Sequence, residues 1–489
     1  MTDKQTNILE LLPQNAIASD PRPWYRQPKL RQLYLSMIIL FLGSTSLGYD
    51  SSLLNGLQTM DTWATYFNNP TGSRLGLFGA LPTISAILVF PIAPYISDTL
   101  GRRAGIALGS AVIILGALLQ TFPPSQGPDA MYLAGRAIIG IGSSLCTNAC
   151  PLLITEIAHP EHRGKMTAGY NTLAFGTLEN LVGDVQWMVP TGLQAVMPGL
   201  QLVGIWLLPE SPRWLVSKGR LDQAREILVK YHGNGNEEDA FVGWEFAEIR
   251  ETLAAEHEAA QTGWMELVRT KGNRKRSMII VLTALFSQFS GNGLVSYYLA
   301  QVLKTIGFTE SITQAEINGG LTIWCLVVCL CAALLVDKVG RRTLFLFAGV
   351  GMLLSFSVWT ACSAVYTKTG SAPAGRAVLA MIFLYYGAAG AAWPGLTVAY
   401  TVEILPFNIR AKGLTLCTSV TAIGGIYKQY VNPLGLEALG WKFYFVYVAI
   451  LVIECAVIYF YFVETRGPTL EEIALLFDGD QAGHRLHIH

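Results

Sequence analysis

Apolar runs of about 20 residues, the length a helix needs to cross roughly 30 Å of hydrocarbon, recur along the chain between short polar segments. They lie near 33–57, 76–97, 105–122, 131–155, 190–208, 277–302, 318–336, 343–365, 376–400, 413–433 and 441–463. Each run predicts one membrane-spanning helix, eleven in all. The segments between them alternate in charge. One set carries Arg102/Arg103, Arg163/Lys165, Lys338/Arg341/Arg342 and Arg410/Lys412, together with the mixed-charge stretch 213–276. The other set is nearly free of cations, with Arg74, Lys304, Lys368 and Arg376 as exceptions. Cationic loops stay in the cytosol, so the first set marks the cytosolic face.

This ladder requires an even number of crossings between Arg163 and Arg213, where only 190–208 is a full-length run. Residues 166–178 (MTAGYNTLAFGTL) are the candidate for the missing fifth span. Their 13 helical residues reach only about 20 Å, so the fifth span is expected to be short. The expectation is an all-α membrane protein of twelve spans in two six-helix bundles, 33–208 and 277–463. A cytosolic loop, 209–276, joins them. Its alternating charge and helical periodicity (LDQAREILVKY, FAEIRETLAAEHEAA) predict short amphipathic helices. Cytosolic tails, 1–32 and 464–489, flank the bundles.

Composition excludes a soluble reading. Of the 489 residues, 52% are apolar and 14% charged, against a usual charged share of about 25%. The polar first stretch, with Lys4, Arg22, Arg26, Lys29 and Arg31, is unlike a cleavable signal peptide. The eight cysteines all fall in apolar stretches and read as small core-filling residues. His484, His487 and His489 lack a second ligand cluster, so neither a metal nor a cofactor is expected. No motif points to an enzyme or to nucleic-acid binding, and the chain is expected to act as a monomer in the bilayer.

The chain also repeats itself. Asp98-Thr-Leu-Gly-Arg-Arg returns as Asp337-Lys-Val-Gly-Arg-Arg, 239 residues on. Glu156-Ile, with Arg163 following, returns as Glu403-Ile with Arg410, 247 residues on. Parallel repeats of this kind place a substrate site near mid-membrane between the halves. The glycine permits a tight reversal. Arg102, Arg103, Arg341 and Arg342 are positioned to make charge-assisted bonds to Glu156, Glu210, Glu403 and Glu464. With Arg163, Arg213, Arg410, Asp98 and Asp337, these residues form a candidate network that gates the cytosolic end. The alternative is a plain set of cationic anchors.

The residues resemble the sugar-porter family of the major facilitator superfamily over roughly 40–470. The resemblance rests on GYDSSLLNGL (48–57), DTLGRRAG (98–105), GRAIIGIG (135–142), PLLITEIAHPEHRGK (151–165), PESPRWL (209–215), SQFSGNGLVSYY (287–298), DKVGRRTL (337–344), EILPFNIRAKG (403–413) and VETRGPTLEE (463–472). Three stretches are similar to the fungal lactose-permease-like branch, which includes disaccharide and hexose carriers. The resemblance implies a major facilitator fold and sugar transport by alternating access, with protons as co-substrate in coupled members. By position it implies that Asp50 accepts the proton with Arg136 as its partner. It further implies that Gln288 and Asn171 contact sugar hydroxyls and that Tyr297 and Tyr298 close the seventh span.

Several positions depart from the family pattern. Ser287 replaces the first glutamine of a pair, and Gly293 an asparagine, with Asn292 beside it. Val398 stands where a tryptophan packs on sugar, leaving Trp393 and Tyr400 as candidate substitutes. Lys428 takes the place of an asparagine, and Met188 that of an arginine.

Taken alone, an ionisable Asp50 at membrane depth is costly and marks a functional site. A carboxylate's proton affinity rises on burial and falls beside an arginine, so a changing Asp50–Arg136 distance would load and release a proton. The alternative is that Asp50 bonds an unwound GYD backbone. Gln288, Asn292 and Asn171 offer donors and acceptors together, as sugar hydroxyls require. They serve equally well in helix–helix hydrogen bonds. The sequence thus leads to a proton–sugar symporter of a fungal plasma membrane. A proton-independent facilitator, a non-transporting sugar sensor and an inactive carrier with a truncated fifth helix are the competing readings.

Overall fold

The computed structural model describes residues 26–158, 185–260, 264–405, 407–465 and Phe477. The expected fifth span, with Arg163 and Asn171, lies outside the described residues, as do most of both tails. No strand occurs among the described residues.

Long helices cover all eleven apolar runs. They are α1 (Pro28–Leu57), α2 (Gly72–Val89), α3 (Arg102–Thr121), α4 (Pro128–Ile157), α5 (Val185–Leu193), α6 (Val196–Gly204), α7 (Lys271–Phe289), α8 (Asn292–Lys304), α9 (Ser311–Val339), α10 (Arg341–Thr369), α11 (Ala372–Gly390), α12 (Trp393–Ile404), α13 (Phe407–Leu439) and α14 (Tyr444–Tyr461). Four runs are divided between two helices, the run 76–97 continuing from α2 into a short helix at Ala93–Leu100. The seventh-span run is divided between α7 and α8 at Gly291, whose φ of 103° suits glycine. Proline stands at the first turn of α1 and α4, where its missing N–H costs no hydrogen bond.

Among the described residues ten stretches are long and apolar enough to cross a membrane, and the last of them, Lys412–Tyr461, holds two helices. Large apolar side chains point outward: Val203 and Phe460 are each 76% exposed and Leu88 71%. In water that surface would be a severe liability, whereas lipid tails accept it. Short helices at Pro212–Ser217, Leu221–Tyr231 and Ala240–Ala260 fill the connecting loop, as its periodicity predicts.

Buried apolar side chains sort into groups along the sequence. One cluster draws only on residues from Leu267 to Phe477. A second draws only on Leu30 to Tyr231. A third, built from Leu53, Leu54, Phe78, Tyr132 and Trp187, receives Tyr298 from the later part of the chain. This third cluster marks where the two bundles meet.

Bonds between the bundles lie toward the end away from the paired arginines. Thr71 donates to Glu437 Oε1 at 3.1 Å, and Gln58 Nε2 donates to Tyr297 O at 2.8 Å. Deeper in, Thr83 bonds Gln429 Oε1 at 3.2 Å. These contacts join α1 and α2 to α8 and α13.

Candidate functional site between the bundles

At the arginine-bearing end the capping bonds of the internal repeat recur in both halves. Gly101 (φ 103°, ψ 160°) and Gly340 (φ 99°, ψ 150°) precede α3 and α10 in a region of backbone space nearly restricted to glycine. A Cβ on either would stand 2.7 Å from an oxygen of Glu210 or Glu464. Those carboxylates cap the helices. Glu210 accepts from the backbone N–H of Arg102 at 3.2 Å, Arg103 at 3.3 Å and Ser211 at 3.0 Å. Glu464 accepts from Arg341 at 2.8 Å, Arg342 at 3.1 Å and Thr465 at 3.1 Å. A negative charge at a helix N-terminus also meets the positive end of the helix dipole.

This geometry divides the expected bonds between backbone and side chain. The backbone amides of the arginine pair take Glu210 and Glu464, while the first arginine's side chain takes the other glutamate. Arg102 reaches Glu156 at 3.2 Å, Asp98 at 2.6 Å and Ser97 O at 3.0 Å. Arg341 reaches Glu403 at 3.1 Å. The second arginine of each pair donates to a carbonyl and lies over an aromatic ring, Arg103 at Trp206 and Arg342 at Tyr459. Glu210 is partly buried, and loss of water outweighs its amide bonds and Arg103, raising its carboxyl above the ordinary range. A cleft of about 700 Å³ beside Asp98, Arg102 and Glu156 is bordered by Arg213. The side chains of Asp337 and Arg410 lie outside the described set.

Nearer the end away from the arginine turns, Arg136 Nη1 donates to Asp50 Oδ1 at 2.8 Å and Arg136 Nε to Phe78 O at 3.0 Å. The side chains are only 5% and 15% exposed. Three helices thus converge on one ion pair: α1 supplies the acid, α4 the base and α2 the carbonyl. Helix α1 runs unbroken through Gly48, Tyr49 and Asp50, so an unwound GYD segment is not what holds Asp50.

Beyond the pair, side chains of α7, α8 and α13 form a polar cluster. Gln288 Nε2 donates to Ser287 Oγ at 3.0 Å, and Asn292 Nδ2 to Ser287 O at 3.1 Å. Lys428 Nζ donates to Asn292 Oδ1 at 3.4 Å and lies 5.4 Å from the centre of the Tyr297 ring. Gln288 also borders Gly424 and Gly425 of α13. Asn292, Gln288 and Tyr297 are partly exposed, so their polar atoms are reachable.

Two candidates have other surroundings. Tyr298 is fully buried, and its hydroxyl donates to Gln429 O at 2.5 Å, tying α8 to α13. Trp393 sits inside the second bundle with Phe345 at 5.0 Å; its ring belongs to the apolar core there. Tyr400 packs beside it and bonds the backbone of Val463.

Sequence reasoning passed over Gln429, Asn432, Thr83 and Glu454. The signal for the first two was present: KQYVN places polar residues at 428, 429 and 432 in an otherwise apolar helix. Asn432 is fully buried and accepts from the Tyr447 hydroxyl. Glu454 is also fully buried, accepts from Ser290 Oγ at 2.8 Å and thereby steadies the break before Gly291. Ser290 Oγ is close to Phe286 O as well. None of the eight cysteines forms a disulfide. No group of three potential metal ligands occurs among the described residues.

Comparison with known proteins agrees with this architecture. Hexose transporter HXT13 of Saccharomyces cerevisiae is 26% identical over 472 residues, covering 91% of this chain and 83% of that protein. The MFS-type transporter oryC of Aspergillus oryzae is 30% identical over 457 residues, covering 87% and 82%. Among solved structures, the xylose transporter XylE from E. coli matches in its inward-open conformation with a TM-score of 0.73 and 22% identity. That match covers 91% of this chain and all of XylE. XylE solved as a proton:xylose symporter bound to 6-bromo-6-deoxy-D-glucose gives a TM-score of 0.70 at 23% identity. The fold is that of the major facilitator superfamily, all-helical and integral to the membrane. A family model described as "Sugar (and other) transporter" matches residues 36–477, and the chain belongs to that family.

Proposed function

We propose that the protein carries a sugar, hexose or disaccharide, together with a proton by alternating access. The observation that carries this reading is the buried Asp50–Arg136 pair beside the amide cluster of Gln288 and Asn292. An ion pair at membrane depth is retained at a cost, and here it lies next to groups suited to hydroxyls. Protonating Asp50 would remove the charge that holds Arg136 to α1, so proton binding and helix arrangement are linked.

In this reading the segments 33–208 and 277–463 rock as two bundles about the amide cluster. The arginine turns face the cytosol with both termini, in the plasma membrane. The present arrangement is inward-facing, because the bonds between α1, α2, α8 and α13 close the opposite end. The charged network of Asp98, Arg102, Arg103, Arg163, Glu156, Glu210 and Arg213, with its repeat at Asp337, Arg341, Arg342, Arg410, Glu403 and Glu464, keeps each bundle rigid and gates the cytosolic end. Asn171 remains a candidate substrate contact, whereas the core position of Trp393 takes its ring out of that set. The description of XylE as a proton symporter and of HXT13 as a hexose transporter supports the reading by kinship.

The test is uptake of labelled mono- and disaccharides by transporter-deficient cells at two external pH values. Uptake that rises on acidification supports symport. Uptake that survives a protonophore unchanged reduces the protein to a facilitator, and a sugar-dependent growth signal without flux replaces the carrier with a sensor.

A further inference from the structure

A fixed cation stands among the amides. Lys428 is 7% exposed, and among the described residues no carboxylate lies within salt-bridge reach of its ammonium group. Its partners are one amide oxygen at 3.4 Å and the face of Tyr297. The nearby Asp50–Arg136 pair is balanced within itself at 2.8 Å. The site therefore holds one positive charge in excess.

A second group points the same way. Asn432 is fully buried, its oxygen is taken by Tyr447, and its Nδ2 has no hydrogen-bond partner. Gly293 lies against both side chains. A Cβ built there would lie 2.9 Å from Lys428 Cδ and 3.0 Å from Asn432 Nδ2. Glycine thus leaves room for the lysine stem, and any larger residue would displace it. The lysine stem and the spare amide N–H thus flank the same glycine, and the ammonium group reaches on to Asn292.

A buried cation and an unpaired donor each cost free energy unless a partner arrives. A carboxylate supplies what is missing, because it brings one negative charge and two acceptor oxygens. A phosphate dianion would leave a second buried charge uncompensated. The remaining donors and acceptors, Gln288, Asn292 and Tyr297, suit hydroxyl groups. We propose that this site selects a sugar acid, a hexose-sized polyhydroxy carboxylate, with Lys428 and Asn432 holding the carboxylate and Gly293 making their placement possible. The inference rests on the reading of the site as a sugar site and narrows its substrate class.

The experiment uses matched pairs that differ only at C6: D-glucose against D-glucuronate, and D-galactose against D-galacturonate. Purified full-length protein is reconstituted in liposomes, and exchange of each labelled compound is measured for wild type and Lys428→Gln. Thermal unfolding of the wild type with each compound provides a readout independent of any variant. Wild type is expected to exchange and be stabilised by at least one acid about tenfold more effectively than by its neutral partner, since a site built for a polar group discriminates strongly against its absence. Lys428→Gln is expected to lose that preference. If wild type exchanges the neutral sugars and neither acid, the sugar-acid proposal falls and the sugar-carrier reading stands. The same holds if Lys428→Gln keeps the full preference for the acid. If no compound is exchanged or stabilises the protein, both readings fall.

Discussion

Replacing Gly101 with alanine tests the capped turn that the sequence repeats. The substitution carries two separable costs. At φ 103°, ψ 160° a Cβ strains the backbone by about 2 kcal/mol. That Cβ also meets Glu210 Oε2 at 2.7 Å, so the carboxylate must retreat from the N–H groups it caps. Losing a bond to a charged acceptor costs about 2 kcal/mol, for a total of about 4 kcal/mol. Gly127 is the control: its φ of 66° is also positive, but nothing lies within 4 Å of its added Cβ, so only about 1 kcal/mol is expected. The difference, about 3 kcal/mol, is on the order of a hundredfold in the folded-to-unfolded ratio.

Unfolding in mixed micelles, followed by tryptophan fluorescence, reads this difference directly. A third variant, Gly101→Ala with Glu210→Ala, isolates the steric part. With the carboxylate gone the alanine is expected to cost only its backbone strain, leaving a coupling energy of about 2 kcal/mol between the two sites. Equal stability of Gly101→Ala and Gly127→Ala would refute the reasoning, as would a cost unchanged in the Glu210→Ala background.

Glu210 carries a pH prediction as well. Because burial holds its folded carboxyl above the ordinary range, its contribution is fully present below the unfolded value and is lost as pH rises through the folded one. Thermal stability is therefore expected to increase on acidification from neutral pH, with a smaller increase in Glu210→Gln; identical pH profiles would count against it. At the opposite end, Gln58→Ala removes the bond to Tyr297 O, worth about 1 kcal/mol. Spin labels at Asp61 and Lys304 should then show about a fivefold rise in the separated conformer, and an unchanged distance distribution would contradict the closure of that end.

The helices were legible because lipid imposes a length and an apolar composition that no other context demands. The repeat was legible because Asp98–Arg103 and Asp337–Arg342 are nearly the same words. Their bonding was less so. Nothing in the spelling says that Glu210 and Glu464 would bind backbone amides while Glu156 and Glu403 take the arginine side chains. That division follows from Gly101 and Gly340, whose missing Cβ atoms admit the carboxylates. Position by position, the family resemblance paired Asp50 with Arg136, and the structure holds them at 2.8 Å. The family's sugar-packing tryptophan falls on Val398, and Trp393, offered in its place, packs on Phe345 instead, because core packing decides where an aromatic points. Lys428 stood out in the sequence as a costly cation in a span. Its surroundings, Asn292, Tyr297, Gly293 and Asn432, depend on two helices crossing and could be read only from the fold.

Proton-gradient-driven accumulation in proteoliposomes tests the central claim most directly. Wild type and Asp50→Asn are reconstituted at matched protein content and offered the neutral and acidic sugars under an imposed pH gradient. Wild type should concentrate its substrate above equilibrium and lose that accumulation when the gradient is collapsed, and Asp50→Asn should not accumulate it at all. Accumulation by Asp50→Asn equal to wild type, or wild-type flux indifferent to the gradient, would contradict the account.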